Sequence, residues 1–368
     1  MTRGREPALT FSERPVLVFW ETTKACPLSC VHCRASAITG PVPGELTTEE
    51  GMRVIDQVRS FGGRPPVLVF TGGDPLMRAD LPRLLDYARA SGVPFAVSPA
   101  VSGNLTDGAL ASLRDAGASS ISISLDGARP ETHDAIRRVD GTFERTVERI
   151  RAARELGLGV QVNTAIMKSN LRELPAMFDI VKGLGVKIWE LFFLVQVGRG
   201  SGVADLTPEG YETACNFAYD ASRLGLVVRC VEAPFIRRVA KRRETGDDYW
   251  RDDAYLGMRD ELSGAGSPGA STLGPKGTLD GDGIIFVGHD GTIHPGGLIP
   301  VPLGNVMTED LATVYRRDPL LNSIRAREFS GRCGTCDYAG VCGGSRARAY
   351  ACSGDPLASD PACLHAGA

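Results

Sequence analysis

The stretch ETTKACPLSCVHCRAS, residues 21–36, carries Cys26, Cys30 and Cys33 a few residues beyond an apolar run. Thiolates are the soft donors of zinc sites and iron–sulfur clusters. A structural zinc closes its shell with four ligands, and disulfides need an even count. Three thiols on one short loop therefore fit a partial zinc knuckle or a four-iron cluster with one iron left open. A second group lies in the tail, where C-x2-C-x5-C-x20-C falls at Cys333, Cys336, Cys342 and Cys363. Four thiolates can close a cluster completely, which favours electron transfer or structure over direct catalysis. The same spacing also suits a structural zinc. Cys352 competes with Cys363 as fourth donor, while Cys215 and Cys230 read as buried core thiols.

Such loops need a scaffold to aim them. Apolar β-like runs at 15–20, 66–70, 94–98, 120–125, 159–167 and 186–195 alternate with amphipathic helical runs. Five of the helical runs end in glycine, at Gly62, Gly92, Gly117, Gly157 and Gly185, as a left-handed helix stop requires. Thr47 with Glu50 spells a capping box. Near-continuous β-branched strands joined by helical crossovers predict a parallel sheet. The fold class is α/β, a partial (β/α)6 TIM-type barrel, whose chemistry belongs on the loops that follow the strands. The cysteine triplet occupies the first of those loops.

After residue 200 the pattern changes to a helix near 207–224, the basic run RRVAKRR (237–243), and a Gly/Ser/Pro-rich loop at 263–283. That loop reads as a lid over the barrel mouth or as disordered chain. The sequence IIFVGHDGTIHP then signals a hairpin turning at Asp290-Gly291. The expected divisions are an extension (1–14), the barrel (15–200), a helical linker with its loop (201–283) and a small cluster domain (284–368).

The C-x3-C-x2-C triplet after strand one of a βα ladder resembles the signature of the radical S-adenosylmethionine (SAM) superfamily. The resemblance implies that Cys26, Cys30 and Cys33 hold a 4Fe-4S cluster whose open iron binds SAM. It implies that the reduced cluster splits SAM to a 5′-deoxyadenosyl radical, which takes hydrogen from a substrate. TGGDP (Gly72, Gly73, Asp74) resembles the glycine-rich motif that receives the SAM ammonium, with aspartate in place of glutamate. His32 holds the place of an aromatic residue near the adenine. Ser124 and Asp126 of ISLDG resemble the ribose and carboxylate contacts, and Ser98 and Asn163 sit where the family offers polar contacts to SAM. The tail resembles the auxiliary-cluster extension of the SPASM/twitch group, implying a second 4Fe-4S cluster on Cys333, Cys336, Cys342 and Cys363. Two cysteines of the two-cluster version are absent, one near HPGGLIP and one where this chain has Arg346, so a single auxiliary cluster is expected.

Within that group the tail spacing looks most like the haem d1 and alternative-haem enzymes. These oxidise or remove carboxylate side chains of iron tetrapyrroles, and RRVAKRR could pair with such carboxylates. A solvated helix face is the plainer reading of the run. Peptide crosslinking and sugar or aminocyclitol oxidation or epimerisation are the rival chemistries, and a non-catalytic iron–sulfur or zinc module the rival class. Strand one is expected by residue 15, so no leader-peptide domain is expected ahead of it, which weighs against the peptide reading. Partners expected are a small-molecule or peptide substrate and a flavodoxin- or ferredoxin-type reductant. With 41 basic against 44 acidic residues nothing calls for nucleic acid. The first residues lack a signal core and no apolar run approaches a membrane span, so the cytoplasm, where thiols stay reduced, is the expected compartment.

Overall fold

The computed structural model describes residues 11–247, 249–274 and 277–365. Residues 1–10 of the expected extension and 275–276 of the glycine-rich loop lie outside these. Strands β1 (Leu17–Glu21), β2 (Val67–Thr71), β3 (Phe95–Val97), β4 (Ile121–Ser124), β5 (Val160–Ile166) and β6 (Ile188–Phe193) pair in parallel in chain order. Between them run helices α1 (Thr48–Arg59), α2 (Leu81–Ala90), α3 (Asp107–Ala116), α4 (Pro130–Arg137), α5 (Thr142–Glu155) and α6 (Leu174–Gly183). The Thr47–Glu50 capping box forms in both directions at the start of α1. The five expected stop glycines all have positive φ, between 67° and 90°.

Alternation along each strand separates two faces. Val18, Trp20, Leu68, Phe70, Ile121, Ile123, Val162, Trp189 and Leu191 are buried in the main core. Each fully buried aliphatic side chain there stabilises the fold by roughly 1.5–3 kcal/mol. The opposite face of the sheet carries Glu21, Ser98, Ser124, Gln161, Asn163 and Glu190, which is unusually polar for a sheet interior. A polar face that curves toward itself suits a site rather than a core.

The sheet continues beyond the six expected strands. After α7 (Pro208–Ala221), strand β7 (Val227–Val231) pairs in parallel with β6, setting Glu190 beside Arg229. Arg229 interrupts its apolar run, and an edge strand can expose it. Helices α8 (Ile236–Glu244) and α9 (Asp253–Leu262) follow. Strand β8 (Leu279–Asp280) leads to β9 (Gly283–Val287), which pairs in parallel with β1 on the side away from β2. The expected hairpin forms between β9 and β10 (Thr292–His294), and β11 (Gly304–Asn305) adds one more antiparallel rung. The tail therefore joins the barrel sheet directly. It ends in α10 (Leu311–Arg317), α11 (Pro319–Ala326), α12 (Gly331–Thr335) and α13 (Arg346–Ser353).

Within the glycine-rich loop, residues 269–272 do not lie over the strands' C-terminal ends. Gly269 N–H donates to Arg223 O (2.8 Å), Thr272 N–H to Ser222 O (3.2 Å), and Val228 N–H to Thr272 Oγ1 (3.2 Å). These bonds tie residues 269–272 to the entry of β7, at the opposite end of the barrel. No described helix is long and apolar enough to cross a membrane.

Candidate active site at the mouth of the barrel

The triplet loop is held by three neighbouring elements. Gly73 N–H donates to Thr23 O and Asp74 N–H to Ala25 O, both at 2.7 Å, so the turn after β2 zips onto the backbone entering Cys26. Gly72 makes that approach possible: at φ +143°, a Cβ would run into the Thr23 backbone. From the loop after β6, Arg199 donates to Cys30 O (3.0 Å) and Ala37 O (2.8 Å), and its own N–H to Cys33 O (3.1 Å). From the end of α4, Ile136 O accepts from Val31 N–H (2.9 Å).

Cys26 and Cys30 are buried and Cys33 half-buried, and all ten cysteines are free thiols. Burial pushes the Cys26 thiol up to about 11, with Leu28 N–H opposing and Asp74, Cys30 and Cys33 adding to the rise. Metal or cluster binding requires that such a thiol give up its proton. Among the described residues no three His, Cys, Asp or Glu side chains converge closely enough for one ion. A four-iron cluster sets its ligands wider apart than a single ion does. Three polar atoms around the loop, His32 Nδ1, Arg137 Nε and Arg199 Nη2, are sealed from solvent without a hydrogen-bond partner among the described residues. A buried unpaired donor costs about 1–3 kcal/mol, so such a cluster of orphans fits a polar group bound in their midst.

The other expected contacts divide into two sets. Ser98, Ser124 and Asn163 stand on the polar face, Ser124 and Asn163 paired across β4 and β5. Asp74 and Asp126 are instead committed inside the protein. Asp74 is fully buried, with Oδ1 accepting from Leu76 N–H (3.1 Å) and Ala100 N–H (3.3 Å), and Oδ2 from the Ser102 hydroxyl (3.2 Å). Its carboxylate thus fastens the turn after β2, a role that the resemblance did not imply.

Asp126 sits at the centre of a buried network. Its Oδ1 accepts from Ala165 N–H (2.8 Å), its Oδ2 is ion-paired to Arg137, and His32 Nε2 lies 3.9 Å away. Burial, the largest single influence, pushes this carboxyl up, but Arg137 first, then His32, His133 and the Ala165 N–H, together hold the group below the usual carboxylate range. Arg137 Nη1 also reaches Cys30 Sγ at 3.6 Å, so one guanidinium joins the acid to the triplet. Sequence reasoning missed Arg137, Arg199 and Arg34, since each is identified only by what the fold brings to it. Arg34, next to Cys33, pairs with Glu21 at 3.0 Å and stacks over Phe286 at 4.6 Å.

The backbone N–H of Asp126 donates to His133 Nδ1 (3.0 Å), which fixes the tautomer with its proton on Nε2, facing Thr146 Oγ1 at 3.3 Å. Burial holds His133 down to about 4. The unfolded chain binds a proton near pH 6.5, whereas the native protein does so only near the depressed value. Stability from this residue is complete above the unfolded pKa and is lost as pH falls toward the native one, by roughly 3 kcal/mol in all. Chemical denaturation between neutral and mildly acidic pH should show that loss, and His133→Asn should lower stability at neutral pH while flattening the pH dependence.

In the tail, each of three thiols receives a backbone N–H at 3.4 Å: Asp360 N to Cys333, Tyr338 N to Cys336 and Gly344 N to Cys342. Donors aimed at sulfur are the arrangement that stabilises cluster thiolates. Burial raises Cys342 to about 12, with Cys363 among the neighbours that add to it. Cys352 is exposed on α13 and Cys215 buried on α7. Arg346 is itself buried, reaching Cys333 Sγ at 3.7 Å and Ala358 O at 2.7 Å. It clamps the tail loop.

Of the basic run, Lys241 is exposed as a solvated face requires, whereas the arginines fit neither reading made from sequence. Arg238 forms a buried bidentate pair with Glu212 (2.9 and 2.6 Å), Arg243 pairs with Asp220 (2.8 Å), and Arg242 with Asp247 (2.7 Å). Arg237 is largely buried beside Val341 O (3.4 Å). These charges fasten α8 to its neighbours and are already spoken for.

A family model described as the radical SAM superfamily matches residues 20–181. The AdoMet-dependent heme synthase of Oleidesulfovibrio alaskensis is 35% identical over 354 residues, spanning 95% of this chain and 87% of that protein. The Fe-coproporphyrin III synthase of Methanosarcina barkeri is 33% identical, over 96% and 89% of the two chains. Streptococcus suis SuiB bound to S-adenosylmethionine shares the fold, with a TM-score of 0.70 at 14% identity, over 96% of this chain and 78% of that one. The chain belongs to the radical SAM superfamily of enzymes, which use a 4Fe-4S cluster and S-adenosylmethionine.

Proposed function

We propose that the chain oxidises carboxylate side chains of an iron tetrapyrrole, removing them as carbon dioxide. The observation that carries this reading is resemblance along 95% of the chain to enzymes named for heme synthesis. In this reading Cys26, Cys30 and Cys33 hold the SAM-binding cluster. His32, Gly72, Gly73, Ser98, Ser124 and Asn163 line the SAM site, with Asp74 and Asp126 acting by fixing its walls. Bound and reduced there, cluster and SAM together supply a carbon radical that abstracts hydrogen. Cys333, Cys336, Cys342 and Cys363, within the 284–368 segment, would hold the auxiliary cluster, which would supply an acceptor for the substrate's electron. Gly72 and Gly73 bring backbone against the loop, Arg199 fixes its carbonyls, and Arg137 balances negative charge at Cys30. The reductant is of the flavodoxin or ferredoxin type, and the working compartment is the cytoplasm.

Anaerobic incubation with iron coproporphyrin, SAM and a low-potential reductant tests this. The expected products are 5′-deoxyadenosine and a porphyrin lighter by carbon dioxide plus two hydrogens for each side chain converted, one hydrogen going to the deoxyadenosyl radical and the other leaving as a proton with the electron. Turnover of SAM with the porphyrin unchanged would reject the substrate. Reconstituted protein should hold about eight irons per chain, and Cys333→Ala with Cys336→Ala about four.

A further inference from the structure

Two carboxyls that the proposed chemistry does not use meet between the barrel and the tail. Glu232 follows β7 directly, at φ +61°. That left-handed conformation costs a non-glycine residue energy, and the surroundings must hold it. Its neighbour is Asp280 on β8, whose buried carboxyl interacts with that of Glu232. Two ionised carboxylates set side by side out of water repel, so such a pair favours the state with one proton between them. Asp280 Oδ2 is sealed from solvent and has no donor among the described residues. Burial, followed by the charge of Glu232, drives the Asp280 carboxyl well above its ordinary range. Gly296 makes room for it, because a Cβ there would overlap the Asp280 carboxyl. Gly296 lies in the HPGGLIP stretch, which lacks the hairpin cysteine of the two-cluster pattern.

From this pair a short hydrogen-bonded path leads to the tail thiols. The Ser345 hydroxyl donates to Glu232. Ser345 N–H donates to Asp360 Oδ2 (2.7 Å), and Asp360 N–H to Cys333 Sγ (3.4 Å). The charged groups facing the pair are Arg34 from the triplet loop, and Arg348 and Asp360 from the tail. Arg348 is already engaged, donating to Glu232 O (2.8 Å) and pairing with Asp360 (3.2 Å). Glu232 is thus the acceptor left to respond when charge changes nearby.

We infer that Asp280 and Glu232 form a proton-binding site coupled to the tail cluster, so that an electron arriving on the cluster draws one proton onto the pair. The inference rests on the proposed auxiliary cluster. One electron would enter the cluster, and one proton would pass to Glu232 from hydronium or buffer acid, whose O–H breaks as the Glu232 O–H forms. The pair passes from one shared proton to two. Added negative charge raises the proton affinity of a neighbouring acid, and by linkage the proton makes the cluster easier to reduce.

The test is a potentiometric titration of the reconstituted full chain at several pH values, following the signal that disappears in Cys333→Ala. Its midpoint potential should fall as pH rises across the neutral range. Glu232→Gln, which removes the accepting carboxylate, should make it independent of pH. Asp280→Asn, whose amide would donate to Glu232 and keep it ionised, should flatten it as well. A pH-independent parent, or an unchanged slope in both variants, overturns the inference. If Cys333→Ala removes no iron, the auxiliary cluster itself is disproved before any potential is read, and the coupling falls with it.

Discussion

Cys30→Ala should reduce release of 5′-deoxyadenosine by more than about a hundredfold, the upper range for losing even a group that merely supports a metal ligand. With Cys30 gone, two thiols remain on a loop that needs three, and Arg137 loses the sulfur 3.6 Å from it. The loop's backbone bonds from Arg199 and Gly73 do not involve the Cys30 side chain, so the fold should persist. Iron should drop by about half, because the tail thiols are untouched. Retained SAM cleavage in a folded Cys30→Ala protein would remove the triplet from the chemistry.

Arg137→Met should cost about 3–5 kcal/mol of stability, the range for stripping a buried charge of its partner. Asp126 is 1% exposed and is ion-paired to Arg137, its one arginine partner among the described residues, so the carboxylate would be left charged in a dry site or forced to take up a proton. Lysine should rescue poorly, since one point charge cannot serve both Asp126 and Cys30 as the planar fork does. Asp126→Asn added to Arg137→Met should recover part of the loss, and the double-mutant cycle measured by urea denaturation gives the coupling. Equal stability of Arg137→Met and the parent would mean that the network is not charged as described.

What the sequence made legible was local. Strands β1 to β6, the stop glycines and the Asp290-Gly291 turn follow from periodicity and from residues whose backbone demands are their own. Both cysteine groups show in spacing alone. What stayed hidden was partnership across the fold. Arg137 stands 11 residues from Asp126, and nothing in HDAIRR says that the first arginine turns inward while Arg138 leaves the helix in a left-handed conformation. Arg238 and Arg243 read as a loose basic face because Glu212 and Asp220, which neutralise them, lie a helix away. Strand β7 escaped for a related reason: Arg229 breaks the apolar run, and only its place at the sheet edge makes that tolerable. The motif names Asp74, but not that Leu76 N–H, Ala100 N–H and the Ser102 hydroxyl fasten its carboxylate.

The central claim is that the triplet leaves one iron free to bind SAM. Electron paramagnetic resonance of reduced protein carrying Cys333→Ala and Cys336→Ala, which isolates the first cluster, tests it with and without SAM. The expected result is a cluster signal whose g values shift when SAM is added, because its amino and carboxylate groups join the open iron. A signal that SAM leaves unchanged would contradict it, as would a site that holds no iron.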